Sequence, residues 1–255
     1  MNLSALLPIS EIKLNEGERL DDLQYNGMKI IQKTDAFRFG TDAVLLSDFA
    51  LLRKTDRVID LGTGTGAIAL LLCAHHPHIS VDAIEIQEDM AEMAQRSVRL
   101  NGLEDRLRVH AMDMRLAPKV IGAGTFDHVV CNPPYSKEGA ALKSVSENKR
   151  LSRHEGDISI SEICAVAAAF LKTGGRFSVV FPAQRAFEMM TAMQNCSLAP
   201  KRVRNVCGTV NHAPKLILID SVKMGGAQLH WLPPLILRNI DGTPTEEWYR
   251  IYGRA

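Results

Sequence analysis

Residues 58–66 read VIDLGTGTG, a largely apolar run that passes directly into three glycines at alternate positions. The run predicts a short buried strand, and the AIALLLCAH sequence at 67–75 predicts a helix immediately after the glycines. Glycines at such a junction permit a tight turn and a close approach of ligand to backbone, while the helix offers free N–H groups. The stretch therefore predicts a strand, a loop for a nucleotide-like ligand, and a helix.

Apolar runs and helical patterns alternate on both sides of this unit. Strands are predicted at residues 57–61, 81–86, 107–112, 126–131 and 176–181, and helices at 67–75, 89–101, 159–172 and 183–194. Such alternation is typical of a parallel sheet with helices on both faces. Two further β-rich runs, 201–207 and 215–222, have no helix between them. The sequence therefore predicts a doubly wound α/β sheet that ends in an antiparallel pair.

The two ends of the chain predict smaller elements. Asn26-Gly27 lies between apolar flanks and indicates a hairpin, and Thr41 is expected to cap the helix that follows it. We therefore divide the chain into an N-terminal hairpin and helix appendage, residues 1–55, and a ligand-binding domain, residues 56–255. Near the other end, the TPTE sequence at 243–246 predicts a capping box that begins at Thr243 and opens a short helix.

Composition excludes several classes of protein. The chain has 255 residues, of which 46% are hydrophobic and 23% charged, and no stretch approaches the roughly 20 apolar residues of a membrane span. The N-terminus lacks the basic region of a signal peptide, so a cytoplasmic protein is expected. The five cysteines are scattered without a C-x-x-C pair, and the histidines at 75–78 lack matching carboxylates. Neither a disulfide framework nor a metal site is expected.

Charge is distributed unevenly along the chain. Residues 1–140 carry 15 Lys and Arg against 20 Asp and Glu, whereas residues 141–255 carry 15 against 9, which gives −5 and +6. The basic half contains two crowded segments, whose cations are Lys143, Lys149, Arg150 and Arg153, and Lys201, Arg202 and Arg204. Such segments indicate either an anionic partner or a solvated face, and charge alone does not decide between them.

Three acidic residues stand at or near strand ends. Glu85 lies about 20 residues past the glycines, where a carboxylate can bind two ribose hydroxyls. Asp113 follows the third strand and can accept from an adenine amine. Asp60, before the loop, suits the cationic amino-acid head of S-adenosylmethionine, which a pyrophosphate lacks. By itself the loop also fits the dinucleotide form G-x-G-x-x-G/A, so a nicotinamide-dependent oxidoreductase stays open at this point.

The fourth strand ends in the tetrapeptide Asn132-Pro133-Pro134-Tyr135. Its prolines fix φ and have no N–H to donate, so the carbonyls before them point in set directions. The Asn132 amide oxygen and the Pro133 carbonyl can then accept both hydrogens of a planar amine, while Tyr135 stacks on its ring. Because parallel strands end at one edge of a sheet, we expect this corner, the glycine loop and the acids to share one site.

In this order, the glycine loop, the acids and the NPPY corner resemble class I S-adenosylmethionine-dependent methyltransferases that methylate amines, over essentially the whole chain. The resemblance implies a Rossmann-like seven-stranded sheet and S-adenosyl-L-methionine as the cofactor. It also implies cofactor-binding roles for Asp60, Gly62, Thr63, Gly64, Gly66, Glu85 and Asp113, and catalytic roles for Asn132, Pro133 and Tyr135.

Two subfamilies compete for the identity of the amine. Glutamine methyltransferases that act on peptide release factors share the DLGTGTGAIAL sequence at 60–70 and the NPPY corner, but they usually place a helical domain ahead of the loop. The FRFGTDAVLL sequence at 37–46, the RHE sequence at 153–155 and the chain ending more closely resemble bacterial tRNA methyltransferases. Those enzymes act on the N6 amine of the adenine beside the anticodon of a valine tRNA.

The closer resemblance implies methylation of an adenine N6 in tRNA by a monomer that holds the anticodon stem–loop through the seven basic residues. It also implies that Phe39 and Thr41 contact the cofactor. Glutamine N5-methylation of a release factor is the alternative. A non-catalytic RNA-binding protein with a methyltransferase fold is a third hypothesis, although the intact Asp60, Glu85 and Asn132 argue against it.

Overall fold

A computed structural model describes residues 13–34, 40–134 and 158–253. It begins with a hairpin in which β1, Glu18–Asp22, pairs antiparallel with β2, Lys29–Lys33. The connection turns at Asn26 and Gly27, whose φ angles are +50° and +70°. Asn and Gly tolerate this left-handed conformation better than other residues, and a turn of this type matches the twist of the two strands. The predicted hairpin is confirmed.

The second sheet is the centre of the fold. Its order is β10-β8-β9-β7-β6-β3-β4-β5, with β11 also paired to β8. Along this path β5, β4, β3, β6 and β7 are parallel, β9 is antiparallel to both β7 and β8, and β10 is parallel to β8. The strands are β3 Arg57–Leu61, β4 Ser80–Glu85, β5 Leu107–Ala111, β6 Phe126–Cys131, β7 Leu171–Pro182, β8 Leu198–Cys207, β9 Leu216–Lys223, β10 His230–Trp231 and β11 Leu235–Ile236. The seven longer strands confirm the predicted sheet, whereas β10 and β11 were not predicted.

Helices cover both faces of this sheet. Helices α1, α2 and α3 share one buried cluster with Val58 and Val81, and α4 and α5 share another with Ile59 and Val129. Successive strand residues therefore enter opposite layers, as the two-residue period of a strand requires. The helices are α1 Thr41–Phe49, α2 Ala67–His75, α3 Glu88–Leu100, α4 Ile160–Phe170, α5 Ala186–Asn195 and α6 Glu246–Ile251. The Rossmann-like doubly wound fold is confirmed. No helix in the described ranges is long and apolar enough to cross a membrane.

The hairpin is fastened to α3 by side chains that complete its backbone hydrogen bonds. Asn101 accepts from the Lys29 N–H at 3.0 Å and donates to the Lys29 carbonyl at 2.7 Å, and Ser97 Oγ accepts from the Ile31 N–H at 2.9 Å. The buried Gln32 then donates to Thr65 Oγ1 at 3.3 Å, so the hairpin also touches the glycine loop. The division of the chain between residues 55 and 56 stays a prediction.

Two predicted helix caps were wrong. The N-cap of α1 is Gly40 and makes no side-chain cap, so Thr41 is the first helical residue rather than the cap. The cap of α6 is Thr245, whose Oγ1 accepts from the Trp248 N–H at 3.2 Å. Thr243 instead donates through Oγ1 to Asp241 at 2.6 Å. Its carbonyl accepts from the Asn239 N–H. These bonds hold residues 239–243 as a turn, and the helix therefore begins later than predicted.

Candidate active site

The glycine loop joins β3 to α2 with a backbone that other residues would strain. Gly62, Gly64 and Gly66 have φ angles of +71°, +58° and +92°. A Cβ on Gly66 would also lie 3.3 Å from Ala94 Cβ, which is tighter than ordinary packing contact between α2 and α3. At Gly62 the nearest atom to such a Cβ would be Met114 Cε at 3.6 Å, so conformation rather than space requires glycine there. The sequence pattern thus has a backbone cause.

Asp60 lies near the end of β3 and is fully buried. Its Oδ2 accepts from Thr63 Oγ1 at 2.6 Å, while its Oδ1 has no hydrogen-bond partner among the residues that the structure describes. Burial raises the pKa of Asp60 to about 7, and the Glu85 charge adds to the rise, with Thr63 and the Ala69 backbone partly offsetting both. A buried carboxylate oxygen without a partner is unfavourable. It favours a cationic or hydrogen-bonding ligand at this loop and disfavours a phosphate.

Glu85 ends β4 and is buried against the loop. Its two carboxylate oxygens accept from backbone N–H groups, Oε2 from Gly64 at 2.9 Å and Oε1 from Gln87 at 2.8 Å. These bonds fix the side chain between the loop and the strand end. Each oxygen retains acceptor capacity, which suits the paired hydroxyls of a ribose.

Asp113 follows β5 and is held by a side chain rather than by the strand end. Arg115 donates to Oδ2 through Nη2 at 2.6 Å and to Oδ1 through Nε at 3.0 Å. These bonds hold the pKa of the Asp113 carboxyl below its usual range. Arg115 also lies 3.9 Å from Glu162 in the first turn of α4. The carboxylate predicted to meet an adenine amine is thus paired with an arginine that was not among the predicted site residues.

The prolyl corner follows β6 directly. Cys131 Sγ donates to the Leu61 carbonyl at 3.2 Å, which joins the ends of β6 and β3. Asn132 is half-buried, Pro133 is buried and Pro134 is exposed. Tyr135 and Phe39, two predicted site residues, lie outside the described residues.

A cavity of about 450 Å³ at the carboxyl edge of the sheet brings four predicted residues together, namely Gly62, Glu85, Asp113 and Asn132. Its size is within the usual range for small-molecule sites. The other predicted residues of the described ranges, Asp60, Thr63, Gly64, Gly66, Pro133 and Thr41, are not among its lining residues. Thr41 lies on α1, where Tyr252 Oη is 3.4 Å from its Oγ1.

Apolar side chains complete the cavity and were missed in the sequence. Ile84 and Ile86 flank Glu85, and Met112 and Met114 flank Asp113. Ile86 is apolar but 46% exposed, as expected of a side chain that packs against a flat ligand when the ligand is bound. The sequence feature that could have identified these lining residues is an apolar residue on each side of an acid at a strand end. The remaining lining residues are Gln87, Arg115, Pro134 and Ile158.

The predicted cationic residues on β8 are engaged within the chain. Lys201 Nζ donates to the Gln228 carbonyl at 3.3 Å, and Arg202 lies over the Phe49 ring at 4.6 Å. Arg204 pairs with Glu247 of α6 at 2.8 Å. These contacts attach the chain ending and α1 to the sheet edge. The other four cations, Lys143, Lys149, Arg150 and Arg153, lie outside the described residues, and a role for any of the seven toward RNA stays a prediction.

No group of three or more His, Cys, Asp or Glu side chains that could hold a metal occurs within residues 13–34, 40–134 and 158–253.

Among solved structures, the fold is similar to a predicted O-methyltransferase from Agrobacterium tumefaciens, with a TM-score of 0.69 and 22% identity over 84% of this chain and 97% of that one. It is also similar to geranyl diphosphate C-methyltransferase from Streptomyces coelicolor, with a TM-score of 0.52 and 14% identity over 71% and 74%. At these identities the likeness shows the fold alone.

Sequence comparison reaches closer relatives. Residues 34–204 match the family described as "Methyltransferase small domain". A protein of Bacteroides thetaiotaomicron named tRNA1(Val) (adenine(37)-N6)-methyltransferase is 31% identical over 72% of this chain and 76% of its own. A protein of the same name from Tolumonas auensis is 27% identical over 74% and 78%. The chain therefore belongs to the methyltransferase small domain family, in which its relatives carry the name tRNA1(Val) (adenine(37)-N6)-methyltransferase.

Proposed function

We propose that this protein transfers the methyl group of S-adenosylmethionine to the N6 amine of an adenine in tRNA, the adenine beside the anticodon of a valine tRNA. The observation that carries the proposal is that Asn132 lines the same cavity as Gly62, Glu85 and Asp113. A shared cavity is what an amine holder beside a nucleoside site requires. The names of the relatives identify tRNA as the source of the amine. A tRNA substrate also supports a cytoplasmic location, and we propose a monomer.

The residues present fit S-adenosylmethionine. Glu85 would hold the ribose. Asp60, whose Oδ1 has no hydrogen-bond partner among the described residues, would supply the carboxylate that the ammonium group of the cofactor needs close to the loop. The adenine ring of the cofactor would lie on the side of the cavity formed by Ile86 and Met112, with its amine toward Asp113. The bound cofactor supplies an electrophilic methyl group on a sulfonium.

Catalysis by this chain is then chiefly positioning. The Asn132 amide oxygen and the Pro133 carbonyl accept the two N6 hydrogens and aim the nitrogen lone pair at the methyl group. Because that lone pair is delocalised in a ground-state adenine, accepting both hydrogens favours the pyramidal nitrogen of the transition state. The nitrogen would therefore need no strong base before transfer. As the new N–C bond forms, the S–C bond would break and leave a neutral thioether, and the nitrogen would then lose a proton to water. Tyr135 is assigned to stack on the ring, which is accessible in a single-stranded loop.

The alternatives are less well supported. Release-factor glutamine also presents a planar NH₂ group, so the corner itself does not exclude it, but the relatives' names point to tRNA. A nicotinamide cofactor would bring pyrophosphate toward the buried carboxyl of Asp60, which is electrostatically unfavourable. A non-catalytic RNA-binding role would leave the joint placement of Glu85 and Asn132 without a purpose.

The test is incubation of the purified protein with methyl-labelled S-adenosylmethionine and either valine tRNA or a peptide release factor. The expected result is label in tRNA, recovered as N6-methyladenine after digestion. A second valine tRNA with guanine in place of the target adenine is the matched control and should remain unlabelled. Label in the release factor, or label in neither substrate, would contradict the proposal.

A further inference from the structure

Phe187, at the start of α5, is 85% exposed. The turn that carries it is well anchored, because Arg185 lies over the buried Phe181 ring at 5.2 Å and pairs with Glu188 at 2.8 Å. Two residues further along the chain, Met189 is fully buried. An aromatic ring that is held outward by an ordered helix turn contributes little to the core, and aromatic residues are enriched at interaction surfaces.

The Phe187 ring lines a groove of about 380 Å³ between the first turn of α4 and the length of α5, from Phe187 near its start to Asn195 at its end. Most of the polar side chains that line it are neutral, namely Ser159, Ser161, Thr191 and Asn195. Its charged lining residue, Glu188, is already paired with Arg185. Hydroxyl and amide groups beside an aromatic ring suit the edge and face of a nucleobase. They suit a phosphate less well, since Lys or Arg usually binds that group.

The groove continues from the candidate active site along the chain. Ile158 lines the cavity that contains Asn132, and the next residue, Ser159, lines the groove. The first turn of α4 forms one side of the groove, and α5, which follows the carboxyl end of β7, runs along the other side to Asn195. A strand of RNA that places one base at Asn132 therefore has the groove within the reach of a neighbouring nucleotide.

We propose that Phe187 stacks on the base of a nucleotide next to the target adenine and that Ser161, Thr191 and Asn195 contact the edge of that base. The inference rests on the proposed function and adds a second base site to it. Stacking accepts any base, whereas the hydroxyl and amide groups give a preference among bases. The groove would thereby select the sequence beside the adenine.

The test is a double-mutant cycle, in which variants of the protein are combined with variants of the RNA. Anticodon stem–loops of valine tRNA are made intact or with an abasic nucleotide on the 5′ or the 3′ side of the target adenine, and their affinities are measured by fluorescence anisotropy with S-adenosylhomocysteine present. For the wild-type protein we expect one abasic RNA to bind about 10-fold more weakly than the intact RNA. F187A should bind the intact RNA about 10-fold more weakly and should no longer distinguish the abasic RNA.

Three controls decide the interpretation. F187W should restore the wild-type pattern, F187L should not, and V120A, which alters a 71% exposed apolar side chain elsewhere, should have no effect. Wild-type affinity of F187A, or equal abasic penalties in F187A and the wild type, would overturn the inference. So would a wild-type dimer that F187A converts to a monomer without change in RNA affinity, because the ring would then face a second copy. Methylation of the intact RNA is measured in parallel. If the RNA is methylated but the abasic RNA binds as tightly as the intact RNA, only this inference is contradicted. If the abasic RNA binds more weakly but no methyl group is transferred, only the proposed function is contradicted.

Discussion

The two walls of the cofactor cavity are built differently. On the inner wall, the ends of β3, β4 and β6 are joined by backbone-linked hydrogen bonds, from the Gly64 N–H to Glu85 and from Cys131 to the Leu61 carbonyl. On the outer wall, Asp113 is held by Arg115, whose side chain is 38% exposed. Groups fixed by neighbouring strand ends cost little to organise when ligand binds, whereas a pair of side chains must rearrange. We therefore expect the inner wall to be preformed and the outer wall to rearrange when ligand binds.

Asn132→Ala should have the largest effect, because it removes the proposed amine holder from the inner wall. We expect turnover to fall at least about 100-fold, the scale of a lost transition-state acceptor, with nearly unchanged cofactor affinity. Single-turnover methylation and calorimetric titration with S-adenosylhomocysteine measure the two quantities. Asn132→Asp, which keeps an acceptor oxygen at this position but replaces the amide NH₂ group with a second oxygen and adds a charge, is the matched control and should retain more turnover. An equal loss of cofactor binding in the alanine variant would mean that Asn132 supports the cavity instead of the amine.

Glu85→Ala tests the same wall from the cofactor side. The substitution removes the acceptor for the Gly64 and Gln87 N–H groups together with the assigned ribose contact. We expect cofactor binding to weaken by about 1–3 kcal/mol, the scale of charge-assisted hydrogen bonds. Glu85→Gln keeps one acceptor oxygen and should show a smaller loss. Calorimetry that finds unchanged affinity for Glu85→Ala would remove the residue from the site.

Asp60 tests whether the inner wall awaits a cation. Its pKa is raised from 3.8 to about 7 in the folded protein, so between these values the folded state binds more protons than the unfolded state. The free energy of unfolding contributed by Asp60 is therefore fully present below pH 4 and decreases as pH rises toward 7, by at most about 1.4 kcal/mol per pH unit. Cofactor affinity should change in the opposite direction, because only the ionised carboxylate attracts an ammonium group.

Denaturant titrations and calorimetry across this pH range, with Asp60→Asn as the control, measure both trends. The asparagine variant should lose both slopes. If the variant and the wild type show the same dependence of affinity on pH, Asp60 has no electrostatic role in cofactor binding.

The contrast between the walls also explains what the sequence could predict. Gly62, Glu85 and Asn132 stand at strand ends in a strongly periodic pattern, so their meeting at one edge follows from parallel topology. The pairing of Asp113 with Arg115 depends on the conformation of a short irregular segment, which no periodicity encodes. The same reason applies to β10 and β11, whose two residues each are too few to show alternation. The cap at Thr245 rather than Thr243 depended on a turn stabilised by Asp241, which local propensity does not distinguish.

Arg115→Ala gives the smallest expected change and the most direct comparison of the two walls. The substitution frees the Asp113 carboxylate from the guanidinium. The adenine amine of the cofactor would then no longer have to displace Arg115 in order to bind Asp113. Exposed ion pairs are weak, and we expect cofactor affinity to rise by less than about fivefold. The pKa of Asp113 should also rise toward its ordinary value, since the arginine is the main cause of its lowering. Calorimetry measures the affinity, and carboxyl NMR shifts measure the pKa. Arg115→Lys, which keeps the charge without the two-pronged geometry, is the matched control and should lie between the wild type and alanine. A large loss of affinity in Arg115→Ala would show that Arg115 itself contacts the cofactor, and the outer wall would then be as preformed as the inner one.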